Sequence, residues 1–251
     1  MTKDVTAYQY YNKDAKRCTQ VNVLDELFPE LPNEKYDVIY CDPPWDYGGK
    51  MQFDHSSTDR VHFNPNGRKV FISSASFKYP TVKLKDLMKL DVSKITADDC
   101  LLFMWTTGPQ LANAIKLGEA WGFEYKTVGF VWDKMVHNPG QYTLSQTEQV
   151  LIFKHGRIPR PRGARNMRQL VTIHRGKHSE KPEEVASRIT NMFPTQKKIE
   201  LFSRREREGW DTWGLDVMDE ETYTTQAQLD SKKDDNIGIK KSRKSTVPFY
   251  V

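Results

Sequence analysis

The chain has no two glycines separated by a single residue and no Gly-Lys-Ser or Gly-Lys-Thr triplet. The first absence removes the Gly-x-Gly turn that brings a backbone up to a dinucleotide pyrophosphate. The second removes the phosphate cradle of nucleoside triphosphatases, so the sequence weighs against NAD, FAD and ATP chemistry. Cysteine is scarce: Cys18, Cys41 and Cys100 are the three in 251 residues, and none forms a Cys-x-x-Cys pair. That argues against a disulfide framework and a zinc site, so no metal is expected. No apolar run approaches the ~18 residues of a membrane span. Met1-Thr2-Lys3-Asp4-Val5 has no apolar signal core, and the expectation is a cytoplasmic protein. Large aliphatics become rare after Asp219, and no acidic residue occurs between Glu148 and Glu180.

What is present centres on Asp42-Pro43-Pro44-Trp45. The preceding Tyr36-Asp37-Val38-Ile39-Tyr40-Cys41 is a β-branched and aromatic run that reads as a buried strand. Prolines cannot donate to a sheet ladder, so the strand ends there, holding a carboxylate at its C-terminal end. In an open α/β sheet that edge is where ligands bind. The arrangement suits a planar, weakly nucleophilic amine. Asp42 can accept one amine hydrogen and a carbonyl of the Pro43-Pro44 turn the other, aiming the nitrogen lone pair at an electrophile. Trp45 offers a ring on which an extruded base can stack. These four residues are the candidate catalytic set. Cys41, beside them, reads as a small buried hydrophobe.

Further motifs follow in order: Leu102-Phe103-Met104-Trp105, Trp121-Gly122-Phe123-Glu124-Tyr125, His178-Ser179-Glu180-Lys181-Pro182-Glu183, Glu200-Leu201-Phe202-Ser203-Arg204 and Gly209-Trp210-Asp211-Thr212-Trp213-Gly214. With Asp-Pro-Pro-Trp they make residues 20–218 resemble the adenine-N6 methyltransferases that include the eukaryotic mRNA adenosine methyltransferase and its bacterial and phage relatives. The resemblance implies a Rossmann-like α/β fold with a mostly parallel central sheet and S-adenosylmethionine as cofactor. It implies cofactor contacts at Lys181, Glu200, Arg204 and Asp42, with Asn22 and Val23 near the cofactor adenine. One departure stands out. Where the family commonly has Trp-Gly-Asn, this chain has Trp213-Gly214-Leu215-Asp216. Leu215 cannot hydrogen-bond through its side chain, so Asp216 or a residue elsewhere is expected to hold the ribose hydroxyls.

The acid-free span carries Lys154, Arg157, Arg160, Arg162, Arg165, Arg168, Arg175 and Lys177. Pro159, Pro161 and Gly163 make residues 156–166 a loop. A basic loop beside a flipped-base site is what phosphate-backbone binding requires, and Arg157, Arg160, Arg162, Arg165 and Arg168 are the candidate nucleic-acid contacts. The net charge of +5 permits a polyanionic partner.

Strands alternate with helical patterns. Helices are expected at about 81–89, 108–121 and 183–192, the last opened by Ser179 and Pro182. Strands are expected at 19–24, 100–105, 125–133, 148–154, 169–174 and 198–203. Residues 46–79 read as an added hairpin or as a gate hinged at Gly48 and Gly49. The expected organisation is an arm over 1–17, a methyltransferase domain over 18–218 and a basic tail over 219–251. The expected activity is methyl transfer to adenine N6 in a polynucleotide, DNA ahead of RNA. The alternatives are a non-catalytic nucleic-acid-binding subunit of a heterodimer and methylation of a protein amide. Either a homodimer or a heterodimer is compatible with the sequence.

Overall fold

The computed structural model describes residues 24, 28–47, 61–63, 69–71, 81–138, 142–176 and 180–215. The expected arm, Asn22, Val23, the Gly48-Gly49 hinge, Asp216 and the tail lie outside them. In chain order the elements are β1 (Tyr36–Cys41), β2 (Val61–Phe63), β3 (Lys69–Phe71), α1 (Leu84–Leu87), β4 (Thr96–Thr106), α2 (Leu111–Ala120), β5 (Glu124–Asn138), β6 (Ser145–His155), β7 (Leu170–Thr172), α3 (Glu183–Met192), β8 (Lys198–Leu201) and β9 (Asp211–Trp213). β2 and β3 pair as a small antiparallel hairpin, and the other strands form one sheet in the order β7-β5-β6-β4-β1-β8-β9. Only β6 runs antiparallel to its neighbours, so the sheet is mostly parallel, as the Rossmann-like reading expects.

Both faces of the sheet are covered. Along β1, Ile39 and Cys41 join Leu102, Met104, Ala114 and Leu117 on the α2 side. Val38 and Tyr40 join Phe103, Trp105, Val185 and Ile189 on the α3 side. That two-sided burial is why β1 and β4 read as continuous apolar runs rather than alternating ones.

Several boundaries differ from the sequence expectation for local reasons. The helix expected over 81–89 shrinks to Leu84–Leu87. Val82 donates its N–H to the Pro44 carbonyl at 2.8 Å and bridges Trp45, which keeps 81–83 extended, so Thr81 caps nothing. The 108–121 helix opens as a 3-10 turn, Gly108–Gln110, with Pro109 in its first turn. The 198–203 strand stops at Leu201 because Phe202 turns left-handed, with φ 63°. β9 is three residues long, too short for the pattern to announce. Of the strand expected over 19–24, only Leu24 is described, and it is helical and buried. No helix among the described residues is long and apolar enough to cross a membrane.

Candidate active site

β1 pairs with β4 on one side and β8 on the other. The chain leaving β1 reaches its next sheet neighbour at β4, whereas the chain leaving β8 goes to β9 on the far side. Connections diverge in this way at a topological switch point, which opens a crevice outside the strand ends. Asp42 follows β1 at that crevice, and Phe202 and Ser203 follow β8. The rings of Phe28 and Trp213, 5.6 and 5.3 Å from that of Phe202, pin the left-handed residue. Ser203 then donates its N–H to the Trp213 carbonyl. A Cβ on Gly214 would lie 2.0 Å from the Ser203 carbonyl oxygen, so only glycine fits there.

Four charged side chains meet above this edge. The Lys181 ammonium lies 2.7 Å from Asp42 Oδ2 and 3.3 Å from Glu148 Oε2. Lys134 lies 3.3 Å from Glu148 Oε1. Topology explains the meeting. Gln149 pairs with Thr106, the last residue of β4, so Glu148 stands just beyond that strand end. Asp133 pairs with Thr172, the last residue of β7, so Lys134 stands beyond that one. Lys181 closes the connection from β7 to α3. Burial raises the Glu148 carboxyl, and the two ammoniums outweigh it, holding the group below the usual carboxylate range.

Aromatic rings floor the site. Lys181 Nζ lies 5.5 Å from the centroid of the Trp105 ring. Trp105 donates its indole N–H to Tyr40 Oη at 2.5 Å, and Trp45 donates its own to the Trp105 carbonyl at 3.3 Å. Cys41 is fully buried, and burial, then the charges of Asp42 and Glu200, push its thiol up, which leaves it inert.

A family model described as MT-A70 matches residues 36–216, most of the chain. The chain belongs to the MT-A70 family. It is 65% identical over 234 residues to the type II methyltransferase M.MunI of a Mycoplasma species, spanning 93% of this chain and all of that one. It is also 22% identical over 202 residues to the N(6)-adenine-specific methyltransferase METTL4 of Mus musculus, spanning 73% of this chain and 38% of that one.

Within this MT-A70 domain the structure brings some expected residues together and separates others. Asp42 and Lys181 meet. Trp45 is 5% exposed and packed among Cys41, Val82 and Met104, so the expected stacking ring is a core anchor beneath the site. The Pro43 and Pro44 carbonyls accept backbone N–H groups of Trp45 and Val82, both at 2.8 Å, leaving each one further lone pair. Glu200 faces the α3 side beside Tyr40, its register partner on β1, and is held by Arg207 at 2.9 Å. Burial raises the Glu200 carboxyl, against the pull of Arg207. Arg204 is exposed on the turn after β8.

The basic loop is the main displacement. β6 runs away from the site, and its far end pairs His155 with Cys100. The loop beyond packs on that opposite edge. Arg157 donates its N–H to Asp99, and Gly163 and Ala164 donate theirs to Met192 and Asn191 at the far end of α3. Glu148 and His155 are seven residues apart on β6, about 24 Å at strand rise. Arg157, Arg160 and Arg162 therefore do not adjoin Asp42, and Arg165 and Arg168 lie on the return path to β7. Among the described cations of the acid-free span, Arg175 is the one at the Asp42 edge, its N–H bonding the Lys134 carbonyl at 3.1 Å. Sequence reasoning missed Glu148, Lys134 and Tyr40. A signal existed for Glu148: it is the single carboxylate opening an apolar strand that leads into the acid-free span.

Proposed function

We propose that the chain methylates the N6 amine of adenine in DNA, using S-adenosylmethionine as donor. The observation that carries this reading is the Asp42 carboxylate at the switch-point crevice, ion-paired at 2.7 Å with Lys181. Asp42 Oδ2 faces the lysine, and the carboxylate retains acceptor capacity on its other oxygen. That oxygen accepts one N6 hydrogen and the remaining lone pair of a turn carbonyl accepts the other. Two acceptors draw the nitrogen toward pyramidal geometry and aim its lone pair.

S-adenosylmethionine supplies an electrophilic methyl group when bound. The described residues fit it by their donor set: Lys181 is a cation for the carboxylate end and Asp42 an anion for the ammonium end, while Asp216 remains the proposed ribose partner. Arg204 borders the same crevice. DNA as substrate draws support from the likeness to a type II methyltransferase. A cytoplasmic location is part of the same proposal. The Arg157 to Arg168 loop would then contact backbone flanking the target.

The test is incubation with tritiated S-adenosylmethionine and matched DNA and RNA oligonucleotides. The expected result is label in DNA as N6-methyladenine, and none with Asp42→Ala. Preferential labelling of RNA, or label unaffected by Asp42→Ala, would refute the reading.

A further inference from the structure

Beyond β4 the sheet does not simply end. β5 and β6 continue as a two-stranded ribbon on the edge that carries Asp42. Gln149 pairs with the last residue of β4, yet β6 runs on to Ser145, which pairs with Asn138. Those four residues of strand project about 14 Å past the end of β4, against a major-groove depth of about 8.5 Å. The ribbon is braced. The Asp133 carboxylate accepts the Met135 N–H at 2.9 Å and the Gln146 amide at 2.7 Å, tying the two strands together. Arg175 ties the segment after β7 to it through Lys134 and Asn138.

Tyr142 and Leu144, in the connection from β5 to β6, are the two most exposed large apolar side chains among the described residues, at 91% and 61%, and Met135 on β5 is 55% exposed. Packing does not require them there, since none belongs to either core cluster. The charge around the ribbon is mixed rather than uniformly acidic. Lys134, His137 and Arg175 flank the ribbon, Glu148 is matched by two lysines and Asp133 is occupied by the brace.

We propose that the β5–β6 ribbon enters the DNA groove beside the target and that Tyr142 and Leu144 fill the space an extruded adenine leaves in the stack. The inference rests on the DNA-methylating reading above. Taking a base out of a duplex leaves its neighbours unstacked, and an inserted apolar wedge recovers part of that loss. A ribbon anchored at Glu148 is placed to do so while Asp42 holds the base.

The experiment compares two duplexes around an adenine first mapped as the site wild-type protein methylates in plasmid DNA. One is fully paired. In the other an abasic nucleotide faces the target adenine, which lowers the cost of extrusion. Tyr142→Ala/Leu144→Ala is expected to lose about tenfold or more in kcat/KM on the paired duplex and under about threefold on the other. Tyr142→Phe/Leu144→Met should recover the paired-duplex rate. Equal losses on both duplexes, or no loss on either, would overturn the wedge. So would wild-type protein that is dimeric by light scattering and becomes monomeric on the double substitution, because the covering surface would then be a second copy. Wild-type protein that methylates no adenine in DNA would instead remove the underlying reading.

Discussion

The Lys181 ammonium stands between two carboxylates, 2.7 Å from Asp42 and 3.3 Å from Glu148, so the candidate acceptor is oriented by a cation that is itself held from the other side. Asp42→Ala should leave less than about a tenth of wild-type kcat with cofactor affinity within about tenfold, since the acceptor matters most as N6 pyramidalises. Lys181→Met should lower kcat and cofactor affinity together. Steady-state kinetics beside calorimetric titration with S-adenosylmethionine separates the two. Retention of high kcat in Asp42→Ala would remove it from the reaction.

Glu148 gives a pH signature. Its folded-state carboxyl lies below the ordinary value, because Lys181 and Lys134 outweigh the effect of burial. A depressed acid contributes stability above its unfolded pKa of about 4.3 and loses it as pH falls through the folded value. Glu148→Gln leaves Lys134 buried beside a neutral partner, which costs about 3–5 kcal/mol at neutral pH. The stability gap between wild type and variant should therefore narrow below about pH 4.5. Urea melts at pH 7, 5 and 3.5 measure it, and a gap that stays constant would show that the charge pairing contributes nothing.

Trp45 is expected to act through packing. Trp45→Ala removes a buried ring and should cost about 3–5 kcal/mol, or about 10 °C in Tm for a domain of this size. The folded fraction should keep its kcat. If Trp45 instead stacks on the base, Tm should hold and DNA affinity should fall by about 1–3 kcal/mol. Melting curves run beside DNA titrations decide between the two.

The parts legible in sequence were those set by local pattern. β1 and α3 are bounded as the apolar run and the 3.6-residue period predict. Asp42 sits where a strand stopped by two prolines must leave it. The parts that were not legible depend on direction of travel. The loop over 156–166 was recognisable as a loop, but its placement turns on β6 running antiparallel, and a hydrophobic run does not encode strand direction. Glu148 and Lys134 escaped notice for the same reason, since each becomes a site residue only through the register of β6 with β4 and of β5 with β7. Trp45 misled because exposure of a ring after a turn depends on what returns to cover it, and here Val82 returns.

That separation of cations gives the last prediction. Arg175 lies at the Asp42 edge, whereas the loop carrying Arg157, Arg160 and Arg162 begins past His155, about 24 Å from Glu148 along β6. Removing one cation from a phosphate should flatten the dependence of log affinity on log salt by about 0.9 on duplex DNA. Arg175→Ala should produce that change on a short duplex centred on the target. Replacing Arg157, Arg160 and Arg162 with Ala should leave the short duplex untouched. It should flatten the slope by up to about 2.7 only once the duplex extends roughly seven base pairs past the target, far enough at about 3.4 Å per step to reach the loop. Backbone contacts carry no sequence information, so the preferred site should survive both changes. A triple variant with wild-type slope on long DNA would show that the loop meets only solvent. A triple variant that already weakens binding to the short duplex would mean that the DNA runs down the α3 side of the sheet rather than across its edge.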